Sequence, residues 1–184
     1  MPRSGPTSAA PLQVTPDAKD LTAAGVVTPA VHDDLIVTLA PEWQTGPATV
    51  RDRLAAQPPA EVLLVAWQES DTFEGAPVRL TILRVPGNGL SLDRYVAGLA
   101  QTMASYDEVT VVSTEMTTTL RQDGLPAGVV HYRVADRAGE QIGYQAALFD
   151  PAGEKIVAVT MSAAAGRSDA EALFRAVVRQ VRFP

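Results

Sequence analysis

Two histidines, His32 and His131, are the only side chains in this 184-residue chain whose ordinary titration falls near neutrality. A general base built on either needs a nucleophile and a carboxylate brought close by the fold, and neither has such a partner at motif spacing. His32 is followed by Asp33 and Asp34, a run with the residue types of a metal cluster. On a strand, however, His32 and Asp34 share a face while Asp33 points away, and two histidines without spaced ligands make a poor zinc set. The acidic stretch "ESDTFE", residues 69–74, lacks the alternating oxygen ligands of a calcium loop and is expected to be a solvated turn. "RVPGNGLS", residues 84–91, has the first two glycines of a phosphate cradle. The third is missing, and Asp93 puts negative charge where a phosphate would sit. No G-x-S-x-G elbow is present, and the absence of cysteine removes disulfides, thiolate metal sites and a thiol nucleophile. The chain is therefore expected not to be an enzyme, with no catalytic residue, no cofactor and no metal. His131 is expected to be a strand residue with a satisfied hydrogen bond, on one face with Val129 and Arg133.

Composition bounds the partners. Hydrophobic residues make up 46% and charged residues 20%, which suits a packed core. The net charge of −6 and the absence of any basic run argue against nucleic acid, which would require a counterion-displacing patch. Two lysines, Lys19 and Lys155, stand against thirteen arginines, a pattern of GC-rich coding. No apolar stretch approaches the ~18 residues of a membrane span, and the N-terminus lacks a signal peptide's apolar core. The sequence as written is expected to be soluble and cytoplasmic. The alternative is a secreted or envelope-anchored protein, should the native N-terminus carry an export signal that this sequence lacks.

The elements follow from the periods. Residues 1–30 carry Pro2, Pro6, Pro11, Pro16 and Pro29 among Ala, Ser and Thr, and are expected to form a flexible leader. Residues 31–184 are expected to form a single domain. Leu35–Leu39, Glu61–Gln68 and Pro77–Val85 have apolar residues at neighbouring positions, so both faces of their sheet require cover. A short helix is expected at 50–56. Leu92, Tyr95, Val96, Leu99 and Met103 make a helical stripe, with Ser91 placed to cap it. Thr110–Ser113 and Thr117–Arg121 are expected as two short strands. Three longer strands joined by Ala138-Gly139 and Asp150-Pro151-Ala152-Gly153 form an antiparallel meander. A last helix carries Leu173, Phe174, Val177, Val178 and Val181, opened by Ser168 and Glu171 at capping-box spacing. Two amphipathic helices and a two-faced sheet predict an α+β fold, mainly antiparallel, with one helix on each face.

Several phrases carry a family resemblance: "TLAPEWQ", "LTILRVPGNGLSLDRYVAGLAQTM", "DGLPAGVVHYR" and "ALFRAVVRQVRF". Together they resemble the PsbP-like α/β/α sandwich, nearest to its bacterial DcrB, LpqN lipoprotein and Eag effector-chaperone relatives. The resemblance implies that Trp43, following the strand-breaking Pro41, folds back as a core plug. It implies binding or chaperoning and brings no shared catalytic residue. The lipobox cysteine of the lipoprotein relatives is absent.

The expected function is therefore that of a non-catalytic partner-binding protein, an adaptor or chaperone for another protein in secretion or assembly. The alternative is an envelope lipoprotein-like module that binds a small molecule or lipid. A second copy of the chain also qualifies as a partner, giving a homodimer. The face assigned to the partner is that of Leu63, Val65 and Trp67, with Trp67 either an interface anchor or part of the core.

Overall fold

The computed structural model describes residues 28–32, 35–46, 61–136 and 139–183. Most of the leader, the helix expected at 50–56, and Asp33 and Asp34 lie outside these residues. The described part is mostly antiparallel sheet with two helices, an α+β fold.

Two sheets are present where the apolar runs suggested one. The smaller joins β1 (Thr28–His32), β2 (Leu35–Leu39) and β10 (Val181–Arg182), with β2 in the middle. The larger has seven strands, β3 (Gln44–Thr45), β4 (Glu61–Gln68), β5 (Val78–Pro86), β6 (Val109–Thr117), β7 (Ala127–Asp136), β8 (Gly139–Phe149) and β9 (Lys155–Ala164), in the spatial order β3-β4-β5-β9-β8-β7-β6. The split occurs at Pro41, which has no N–H with which to prolong a ladder. After a turn at Pro41-Glu42, the Trp43 amide donates to the Ala40 carbonyl and the indole enters the main core, 7% exposed.

Strand alternation sorts the apolar residues into two layers. Val129, Ala146, Leu148 and Val157 face α2 (Ala170–Arg179), which covers them with Ala170, Phe174, Val177 and Val178. Their neighbours Val130, Ala147 and Ile156 belong to a second cluster under α1 (Leu92–Met103), which contributes Leu92, Val96, Leu99 and Met103. Neighbouring residues on a strand point to opposite sides, so the two helices lie on opposite faces of the sheet. Gly128 sits directly beneath Val96, where a Cβ would come within 2.1 Å of Val96 Cγ2.

Local expectations fare unevenly. The helical stripes are as the spacing implied, except that Val181 belongs to β10 and not to α2. Ser91 is the N-cap of α1 but makes no capping bond to the backbone; its hydroxyl bonds the Asp93 carboxylate instead. The N-cap of α2 is Asp169 and not Ser168, and its carboxylate is held by Arg167 at 2.8 Å. In "RVPGNGLS" the Gly87 amide donates to the Glu154 carbonyl at 2.7 Å, and a Cβ there would crowd the carbonyls of Gly153 and Glu154. Backbone approach accounts for that glycine.

Candidate functional site

The strand expected at Thr110–Ser113 is longer, a nine-residue strand β6 with a bulge, whereas the one expected at Thr117–Arg121 is not formed: β6 ends at Thr117 and residues 118–121 turn away from the ladder. Val111 is opposite Tyr132 and Ser113 is opposite His131, so Val112 is an extra residue in the ladder. An extra residue reverses the parity of everything after it. Val111 packs in the α1 layer, and unbroken alternation would send Ser113 and Glu115 there too. The bulge turns them to the α2 face, beside His131 and Val129.

There they line a cleft of about 70 Å³ with Val129, His131, Tyr144, Glu171, Phe174 and Arg175. Its floor is a stack of rings. His131 lies on Tyr144 and Tyr144 on Phe174, with centroids 4.5 Å and 5.3 Å apart. Its rim is ionic. Arg175 Nη2 reaches Glu115 Oε2 at 2.6 Å, and Arg175 Nε reaches Glu171 Oε1 at 2.8 Å across one turn of α2. Both carboxylates hold the guanidinium pKa above its ordinary value. Two carboxylates against one guanidinium leave the rim with one excess negative charge.

His131 does not have the satisfied hydrogen bond expected of it: Nε2 is buried and has no partner. Burial lowers the imidazole pKa and outweighs Glu171, which raises it, while Arg133 adds a smaller lowering, so the ring is neutral near pH 7. Nothing in the sequence around His131 signals this. Ser113 and Glu115 come from β6 and Glu171 and Arg175 from α2, and a bulge no motif announces brings them together.

β6 is also the last strand of its sheet. Among the described residues it pairs with β7 on one side only, whereas the opposite edge strand, β3, is two residues long. Five large apolar side chains are conspicuously exposed among the described residues, and four of them bracket β6. Val112 and Met116 lie on the strand, nearly half exposed. Tyr106 is in the turn that enters it, and Leu125 lies just before Ala127, which pairs with Thr117. The one charged residue of β6, Glu115, is held by Arg175.

The residues assigned to a partner on sequence grounds sit elsewhere. Leu63, Val65 and Trp67 are 0%, 1% and 5% exposed. They do not share a face, because β4 has its own bulge between Val62 and Leu64. Leu63 joins the α2 layer, while Val65 joins Val62, Phe73 and Leu83 in a separate cluster. Trp67 meets Phe73 edge-on at 6.1 Å, and its indole N–H donates to the Ser70 carbonyl. No group of three or more metal-ligating side chains occurs among the described residues, and none of their helices is long and apolar enough to cross a membrane.

No protein-family model matches the chain, and no curated protein does so. Among solved structures it is similar to LpqN of Mycobacterium tuberculosis, described as involved in cell envelope biogenesis, with 12% identity, a TM-score of 0.57, and 98% of this chain and all of that one covered. It is also similar to the Ran-binding protein Mog1p of Saccharomyces cerevisiae, with 10% identity, a TM-score of 0.49, and 82% of this chain and 90% of that one covered. The likeness to LpqN is one of fold, and LpqN is among the relatives to which the sequence phrases pointed.

Proposed function

We propose that the protein is a non-catalytic binding module, an adaptor or chaperone that takes an extended segment of another protein onto the open edge of β6. The observation that carries this reading is the gathering of exposed Tyr106, Val112, Met116 and Leu125 along a nine-residue strand with one side unpaired among the described residues. Edge strands are ordinarily blunted by charge, proline or brevity, because their free N–H and C=O groups template further pairing. Here the strand is long and its single charge is engaged with α2. An added strand would gain main-chain hydrogen bonds from the edge and apolar contact from these side chains. The role first assigned to Leu63, Val65 and Trp67 moves to β6 because those three are buried.

A catalytic reading gains no support from the cleft. Glu115 and Glu171 hold Arg175, and His131 Nε2 bonds to neither of them. This cleft, about 70 Å³, is smaller than the roughly 300–1,000 Å³ of small-molecule pockets, so the lipid-binding alternative gains no support from it.

The test is a photo-crosslinking amino acid at Val112, with one at exposed Leu90 as the control, in the full chain in its native host. The expected result is an adduct from position 112 alone, mapping to one continuous segment of another polypeptide and lost when Met116→Lys and Leu125→Lys are added to the crosslinker-bearing chain, which remains folded. Equal yields from both positions, or an adduct that persists in the lysine variant, would refute the reading.

A further inference from the structure

The cleft lies directly beside the open edge, and its chemistry is specific. We propose that it receives the ammonium group of a lysine side chain carried by the segment that adds to β6, so that the protein selects clients with a lysine opposite Ser113. This rests on strand addition at β6 and goes beyond it by naming the residue read.

Three observations converge. The first is the buried, unpartnered Nε2 of His131. A buried polar atom left without a bond is unfavourable, so a ligand that supplies one is favoured. The second is charge. Glu115 and Glu171 share the single guanidinium of Arg175, and each carboxylate has lone pairs to spare. A cation that donates to a neutral imidazole and to carboxylates fits this rim, whereas an anion would face two carboxylates. The third is size. A cleft of about 70 Å³ admits the tip of one side chain. The ammonium is compact and has three donors free to rotate, while a guanidinium is a broad planar fork.

The topology gives the path. Ser113 is opposite His131 on the α2 face, and its side chain is small and exposed, so it would not bar approach from the edge. A residue of the added strand opposite Ser113 would place its side chain on that same face. It would lie two strand spacings from His131, about 10 Å, a distance suited to a four-carbon stem with an ammonium at its end. Tyr144, one strand further in than His131, and Phe174 stacked on it close the inner end of the cleft.

The probe is an acetylated, amidated nine-residue peptide of alternating threonine and valine with lysine at its centre, compared with the same peptide carrying norleucine there. Binding to the full chain is measured by fluorescence anisotropy and the His131 imidazole is followed by NMR. The lysine peptide is expected to bind at least about tenfold more tightly and to shift the His131 ring resonances, with most of that preference lost in Glu171→Gln. Glu171 is an exposed helix residue, so this variant should leave the fold unchanged by circular dichroism. Equal binding of the two peptides, or a lysine preference that survives Glu171→Gln with His131 unmoved, overturns the lysine pocket while strand addition stands. Failure of both peptides to bind removes strand addition, and the lysine pocket with it.

Discussion

The His131 imidazole lies nearly parallel to the Tyr144 ring, 12° between planes and 4.5 Å between centroids, as its direct partner across the β7–β8 pair. Stacking and burial both favour a flat, neutral ring. The folded-state pKa is depressed below the ordinary 6.5, chiefly by desolvation. As pH falls, the unfolded chain takes this proton first. The stability that neutral His131 contributes is thus complete above about pH 6.5 and is lost as pH falls towards the folded-state pKa. Facing groups work in both directions: Glu171 favours protonation and Arg133 opposes it. Denaturant titrations between about pH 7 and pH 5 should show declining stability, with a shallower decline in His131→Phe, which keeps an aromatic face. Identical slopes in the two proteins would show that His131 does not titrate as described.

Removing the indole at position 43 should destabilise the protein by roughly 3–5 kcal/mol, the usual cost of truncating a buried large aromatic. Trp43 is in the main core beside the turn at Pro41, so its loss opens a cavity at the junction of the two sheets. A chemical-denaturation midpoint for Trp43→Ala equal to that of the parent would contradict this placement.

Gly128→Ala should cost about 1–3 kcal/mol by overpacking. The new methyl would lie 2.1 Å from Val96 Cγ2 and 3.3 Å from Met116 Sδ. Val96→Ala in the same chain should relieve part of the clash, giving a favourable coupling in a double-mutant cycle. Strict additivity of the two substitutions would place α1 elsewhere on the sheet.

Arg121 is buried, with its guanidinium on the Asp123 carboxylate and the Phe149 carbonyl and 5.0 Å from the Phe183 ring centroid. Asp123→Ala strands that charge and should cost about 2 kcal/mol; the partial exposure of the carboxylate keeps this below the 3–5 kcal/mol typical of fully buried pairs. The Arg121 bonds hold the Asp123 carboxyl below its ordinary 3.8, so its contribution is present above that value and is lost as pH falls through the folded-state pKa. Thermal unfolding of parent and variant should converge at strongly acidic pH. A constant gap down to about pH 2 would count against the pair.

What could be read from the residues is what local physics fixes. Leu92, Val96, Leu99 and Met103 lie on one helical stripe whatever surrounds them, and Gly124 and Gly153 mark their turns through positive φ. Pro41 stops its strand for want of an N–H. The bulges at Val112 and Leu63 were not legible, because a valine or leucine in a ladder looks the same whether paired or extra. Both bulges decide which side chains meet. One moves Leu63 away from Val65 and Trp67, and the other brings Ser113 and Glu115 to the cleft. The Arg175 bridge was equally hidden, since Glu115 is 60 positions away in the chain. The helix cap at Asp169 shows the same limit on a smaller scale: Ser168 and Asp169 are both good caps, and the backbone geometry chooses between them.

One of the two shortest strands described, β10, sets a schedule for the fold's birth. β2 takes β10 as its second partner, with Val181 against Val37 and Arg182 against Ile36. α2, which roofs the main core, immediately precedes β10 in the chain. During translation, which proceeds at about 5–20 residues per second, β2 emerges early and waits for both. For several seconds the nascent chain shows an apolar strand with only β1 beside it, and the α2 side of the meander stays bare until the last helix clears the ribosome. A holding chaperone that binds the ribosome-attached chain should therefore be retained through the synthesis of β9 and be released only once residue 182 is free of the exit tunnel.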